Sequence, residues 1–154
     1  ESIAPVTSIV DLACGMNPFA IPWMPLANRF SYHACDIYLD MVAFIREFFK
    51  HNEIEGDITA CDLVTRLPQV DVQVAFLLKS IPCLEQVDKA IGDRLLETIQ
   101  AQHILVSFPV RSLGGQKKGM LAFYKDHFYD LVTGKGWKIR EFTFPTELAF
   151  LVTK

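Results

Sequence analysis

The residues of this chain best suited to chemistry are acids placed where apolar runs end. Asp11 closes the run Ser8-Ile9-Val10 and opens the turn Asp11-Leu12-Ala13-Cys14-Gly15-Met16-Asn17-Pro18. A small residue in such a turn lets a ligand approach the backbone, and Gly15 also permits positive φ. By itself the turn describes any reversal after a strand. Asp36 changes the weighing. It follows Gly15 by 21 residues, at the end of a second β-rich run, where a carboxylate can accept hydrogen bonds from both ribose hydroxyls of a nucleotide-like cofactor. Asp62 repeats the placement after a third run, where it can reach an adenine amino group while Leu63 packs on the ring. One such acid is ordinarily a helix cap or a solvated loop residue. Two consecutive endings, Cys35-Asp36-Ile37 and Cys61-Asp62-Leu63, point instead to an adenosyl cofactor. The expected contacts are Asp11, Ala13, Gly15, Asp36, Ile37, Asp62 and Leu63, with Leu77 from a fourth run.

A second group of candidates lies further along. The segment Phe76-Leu77-Leu78-Lys79-Ser80-Ile81-Pro82 ends an apolar run on a lysine, which can reach substrate phosphate or simply snorkel from the surface. Ser107 to Gly119 (SFPVRSLGGQKKG) joins an aromatic, a guanidinium, hydroxyls and a basic loop loosened by glycine. Substrate positioning is therefore expected of Lys79, Phe108 and Arg111, with Phe108 at the target base. RNA contacts are expected of Ser107, Pro109, Ser112, Lys117 and Lys118. Glu147, in the link Pro145-Thr146-Glu147, should share that edge and orient Arg111 or Lys79. No metal site is expected, because Cys14, Cys35, Cys61 and Cys83 form no Cys-x-x-Cys and have no supporting histidine. Each lies in or beside an apolar stretch and reads as a buried free thiol, which places the chain in the cytosol.

These residues need an alternating frame to hold them. Apolar β-rich runs at Ser8–Leu12, Ser31–Cys35, Asp57–Cys61, Val72–Leu78 and His103–Phe108 predict five strands. Tyr38, Met41, Val42, Ile45 and Phe49 form one helical stripe, and Leu84, Val87, Ile91, Leu95 and Ile99 a second. A helix from about Met120 to Val132 precedes two last strands, Lys138–Phe144 and Leu148–Thr153, too closely linked for a crossover and so antiparallel. The result is an α/β fold of the Rossmann-like class I methyltransferase kind, mostly parallel and seven-stranded, with an antiparallel C-terminal hairpin. Residues 1–154 are read as one domain.

Composition narrows the choices. Hydrophobic residues make up 51% and charged residues 21% of the 154, which excludes disorder. No apolar run reaches the roughly 18 residues of a spanning helix, and the first residues carry no secretory signal. A net charge of −3 gives no global basic footprint for nucleic acid. The chain also starts without Met, which suits a processed chain or an excised domain.

Four phrases together resemble a known family. They are Asp-Leu-x-Cys-Gly-x-Asn-Pro (Val10 to Pro18), Leu-Lys-x-Ile-Pro-x-Leu-Glu (Leu77 to Glu85), Ser-Phe-Pro-x-Arg-Ser-Leu-Gly-Gly-x-x-Lys-Gly-Met (from Ser107) and Thr-Glu-Leu-x-x-Leu (from Thr146). The family is the aminoglycoside-resistance 16S ribosomal RNA (guanine-1405, N7) methyltransferases, and the likeness spans nearly the whole chain. It differs at Ala13, where the family has glycine. The resemblance implies S-adenosylmethionine as cofactor, S-adenosylhomocysteine as product, and the small ribosomal subunit with its 16S RNA as partner, with no membrane and a monomeric chain. It also implies a helical RNA-binding domain ahead of this fold, which Glu1–Lys154 does not contain. The chain is thus expected to be the catalytic domain alone, binding cofactor but methylating subunits poorly. Guanine N7 carries a free lone pair, so the reaction needs no base, and His33, His51, His103 and His127 are read as structural or surface residues. The alternatives are a same-fold methyltransferase acting on another RNA or a small molecule, and a cofactor-binding domain without turnover. A nicotinamide enzyme ranks below these, since the first turn lacks Gly-x-Gly-x-x-Gly.

Overall fold

A computed structural model describes residues 3–110 and 119–154, which build one seven-stranded sheet. The strands are β1 (Val6–Leu12), β2 (Leu26–Asp36), β3 (Gly56–Ala60), β4 (Val72–Leu78), β5 (Ala101–Pro109), β6 (Lys138–Thr143) and β7 (Glu147–Thr153). Among the described residues the α-helices are α1 (Leu39–His51), α2 (Ile81–Leu84), α3 (Ile91–Thr98) and α4 (Met120–Val132). The strand order is β3-β2-β1-β4-β5-β7-β6. Strands β1 to β5 run parallel, and β7 lies antiparallel between β5 and β6. The chain winds outward from β1 to β3, then crosses back to β4 on the other flank of β1. The topological switch point therefore falls between β1 and β4, where ligands of open α/β sheets bind.

Two cores form, one on each face of the sheet. Val10, Leu12, Leu77, Ile104 and Phe150 pack under α2, α3 and α4 through Ile81, Leu95 and Phe128. Ile9, Tyr32, Ala34 and Val74 pack under α1 through Val42, Ile45 and Phe49. Strand β4 contributes to both, which is why its sequence is nearly all apolar. On the α1 side a hollow of about 600 Å³ remains over β4, β5, β7 and β6, lined by Val74, Phe76, Leu105, Phe142 and Leu151 among others.

Three expectations need correcting. The second amphipathic helix is two helices, α2 and α3, and Val87 between them is exposed. Asp88 causes the break: its Oδ1 accepts the Ala90 amide at 3.0 Å, turning the chain before α3 begins. The residues after Gly15 are not a plain loop, since Asn17–Trp23 forms a 3-10 helix with Pro18 in its first turn and Ile21 buried. Cys14 and Cys35 are buried thiols as expected, but Cys83 is exposed.

Gly56 opens β3 directly opposite Tyr32 of β2. Its φ is +138°, and a Cβ there would stand 2.0 Å from the Tyr32 carbonyl oxygen. Backbone must move to admit any side chain. Gly56→Ala should therefore cost about 2 kcal/mol or more in chemical denaturation; an unchanged midpoint would show that β2 and β3 yield easily here.

Candidate active site

The carboxyl ends of the first three strands are tied together by backbone. The Cys14 amide donates to the Cys35 carbonyl at 3.0 Å, and the Cys61 amide to the Asp36 carbonyl at 3.0 Å. Onto this frame Asp36 adds a side-chain tie: Oδ2 accepts the Gly15 amide at 2.9 Å and Oδ1 the Tyr38 amide at 3.2 Å. Each carboxylate oxygen keeps a lone pair for a ligand hydroxyl. Around it Met16, Ile37 and Tyr38 leave 59%, 61% and 64% of their surface open, the kind of apolar wall that a purine nucleoside can cover.

The turn between these strands is left-handed twice, at Ala13 (φ +53°) and at Gly15 (φ +52°). Glycine adopts this freely, and a Cβ at Gly15 would meet nothing within 4 Å, so its requirement is conformational. Ala13 carries strain of roughly 1 kcal/mol in the same conformation.

Below the turn, Asp11 is buried. Its Oδ2 accepts the Tyr32 hydroxyl at 2.7 Å and the Asn17 Nδ2 at 2.9 Å, while Oδ1 has no partner among the described residues. Burial raises its pKa from 3.8 to about 7, against the pull of those two donors. The third acid stands differently. Asp62 is exposed and its Oδ1 accepts the Val64 amide at 2.9 Å, capping its own turn. Leu63 and Leu77 are buried in the core beneath the edge, so neither side chain presents an open face to a ring.

The other half of the edge holds the substrate candidates. Lys79 follows β4 at φ +58°, its amide donates to the Ser107 carbonyl at 3.0 Å, and its ammonium pairs with Glu147 at 2.9 Å. Glu147 thus orients Lys79, one of the two partners expected for it. Pro109 sits opposite Glu147 across β5 and β7. Two expectations fail on burial. Phe108 is fully buried, stacked on Tyr124 at 5.1 Å and edge-on to Phe128 and Phe150, so it supports the edge from below and cannot pack on a base. Ser107 is fully buried too, and its Oγ has no partner among the described residues, so it does not face RNA. Arg111, Ser112, Lys117 and Lys118 lie outside the described residues.

The histidines have other partners. His127 pairs with Glu85 at 2.8 Å, His103 with Thr153 at 2.9 Å and His33 with Asp57, while His51 is exposed. Among the described residues no group of three or more His, Cys, Asp or Glu could hold a metal ion, and no helix is long and apolar enough to cross a membrane. Asn17, Tyr32 and Tyr38, which bond to Asp11 and Asp36, were not among the residues expected at this edge. Asn17 stands in the Gly-x-Asn-Pro phrase, six residues after Asp11, and that phrase was its only signal. Tyr32 and Tyr38 had none.

The family model for ribosomal RNA methyltransferase (FmrO) matches residues 2–151. The chain belongs to the FmrO family. The 16S rRNA (guanine(1405)-N(7))-methyltransferase of Micromonospora rosea is 31% identical over 144 residues, which are 94% of this chain and 53% of that protein. The enzyme of the same name from Frankia casuarinae is 32% identical over 152 residues, 97% of this chain and 54% of its own length. The structure of the 16S rRNA methyltransferase RmtF in complex with S-adenosyl-L-homocysteine superposes with a TM-score of 0.87 at 31% identity, covering 99% of this chain and 57% of that one. The chain spans about half the length of the curated relatives it matches. Its fold is the α/β methyltransferase fold, with the mixed sheet already described.

Two measurements test the first turn of this FmrO-family chain. Ala13→Gly should stabilise it by roughly 1 kcal/mol, raising Tm by about 2–4 °C; no gain would mean that the turn relaxes its strain elsewhere. Asp11 makes stability depend on pH. With a folded value near 7 and an ordinary value of 3.8, the folded chain keeps a proton that the unfolded chain has released. Stability contributed by this group therefore falls as pH rises through that window. The Tm of Asp11→Asn, measured against wild type from pH 5 to pH 8, should gain with pH up to about 7 and then level off. A constant difference would show that Asp11 titrates ordinarily.

Proposed function

We propose that this chain, as a methyltransferase domain covering residues 1–154, methylates N7 of a guanine in the decoding site of 16S ribosomal RNA. S-Adenosylmethionine is the methyl donor in this reading and S-adenosylhomocysteine the product. The observation that carries it is the tie between Asp36 and the Gly15 amide at 2.9 Å in a chain of the FmrO family. That tie sets an acid with lone pairs to spare beside a left-handed turn and open apolar surface, as a ribose and its purine require. Oδ1 of Asp11, without a partner among the described residues, suits a ligand that also carries a cation. The residues present therefore fit an adenosyl cofactor.

The cofactor supplies an activated methyl on a sulfonium, and guanine N7 has a free lone pair to receive it. No residue has to remove a proton, so the chain's part is to bind, align and exclude water. Asp36 holds the ribose, Gly15 and Ala13 bring backbone close, and Ile37 walls the nucleoside while Asp62 stands near the adenine. Lys79, set by Glu147, meets RNA phosphate at the neighbouring edge, next to Pro109. Arg111, Ser112, Lys117 and Lys118 add RNA contacts by their sequence. The chain acts as a monomer in the cytoplasm, where ribosomes are.

Two variants test the division of labour. Asp36→Ala removes a hydrogen-bonding charge, so calorimetry should read about ten- to a hundredfold weaker binding of S-adenosylhomocysteine. The double change of Arg111 and Lys118 to Ala should leave that affinity intact and abolish labelled methyl transfer to purified small subunits, assayed at low salt where a few phosphate contacts suffice. Binding without any transfer by the wild-type chain would overturn the enzymatic reading; unchanged binding in Asp36→Ala would remove Asp36 from the site.

A further inference from the structure

We propose that Tyr32 and Asn17 are positioning residues of the cofactor site, holding one oxygen of Asp11 so that the other answers the ammonium on the cofactor's amino-acid end. This rests on the cofactor reading above and adds to it two residues and a pH dependence. Tyr32 belongs to β2 and is fully buried; Asn17 begins the 3-10 helix. They reach Asp11 from different elements and converge on the same atom, Oδ2, at 2.7 Å and 2.9 Å. Asn17 Nδ2 also stands 3.4 Å from the Tyr32 hydroxyl, closing the triangle. Oδ1, equally buried, is left without a partner among the described residues. A carboxylate kept only for structure would normally satisfy both oxygens, because a buried unpartnered acceptor is costly. A ligand that brings its own cation removes that cost.

The surroundings are suited to such a ligand. Asp36 from β2 adds a second negative charge, and the thiols of Cys35 in β2 and Cys14 in the turn are near enough to feel the charge of Asp11. Burial pushes both thiols up, Cys35 to about 12, so they stay neutral. From β4 the residue opposite Asp11 is Phe76, which does not titrate. Burial raises the pKa of Asp11 to about 7 and the two donors hold it down, so Tyr32 and Asn17 decide how much of Asp11 is ionised at neutral pH. An ionised Asp11 attracts the ammonium, and a protonated one does not.

Calorimetry with two nucleosides between pH 5.5 and pH 8.5 tests this. S-Adenosylhomocysteine carries the ammonium; 5′-methylthioadenosine keeps the adenosine and the thioether but lacks the amino acid. In the wild-type chain the first should lose affinity below about pH 7, approaching tenfold per pH unit, while the second stays flat. Tyr32→Phe keeps the ring that lies edge-on to Phe49 at 5.9 Å and removes only the donor. Its midpoint should rise by about one to two pH units, with affinity recovering at the alkaline end. Asn17→Ala, at a partly exposed position, should shift it in the same direction and serves if Tyr32→Phe does not fold. A flat wild-type profile for S-adenosylhomocysteine overturns the proposal. So do variants that weaken both nucleosides alike without moving the midpoint, as a merely structural role would. If neither nucleoside binds the wild type at any pH, the cofactor reading falls, and this inference falls with it.

Discussion

Burying a carboxylate is unfavourable unless something compensates it, and the end of β1 is organised around that difficulty. Asp11 sits beneath the turn with one oxygen accepting two hydrogen bonds and the other without a partner among the described residues. Relocating any of its partners would strand the charge, so β2 must bring Tyr32 alongside and the 3-10 helix must bring Asn17 over the top. Tyr32 in turn needs Gly56, because only a residue without Cβ lets β3 pass its carbonyl. A chain of packing demands thus runs from one acid through three elements, and it ends at the turn that carries Gly15.

The neighbouring edge is held by a different principle. There the support is aromatic: Phe108 stacks on Tyr124, and Phe128 lies face to face with Phe150 at 3.8 Å. This cluster joins β5, α4 and β7 beneath the edge, and above it an exposed Lys79 pairs with a half-buried Glu147. Such a pair contributes little stability, typically below about 1 kcal/mol. Its interest lies in holding a cation beside Glu147, which Pro109 faces across β5 and β7. One half of the edge buries its carboxylates beneath the turn, and the other presents charge outward.

Much of this was legible in the sequence because it depends on local pattern. The apolar runs marked all seven strands, and the four-phrase resemblance named the family. The endings Cys35-Asp36-Ile37 and Cys61-Asp62-Leu63 looked alike on paper. The structure separates them: Asp36 is buried and tied to Gly15, whereas Asp62 is exposed and bonds its own turn. Periodicity also overran the break at Asp88, since a side chain that accepts a backbone amide interrupts a helix without disturbing the apolar spacing.

What the sequence by itself determined was the order of strands and helices and the acids at the strand ends, because periodicity and strand termination are properties of neighbouring residues. Which side chains share a space was decided only by tertiary structure. Phe108 reads as an aromatic at the end of a strand, poised to meet a base, yet β5 alternation turns it into the core. Tyr32 reads as one more strand residue, yet parallel pairing of β1 with β2 brings its hydroxyl to Asp11. Contacts between strands far apart in the chain depend on register and face, and neither is written in the types of adjacent residues.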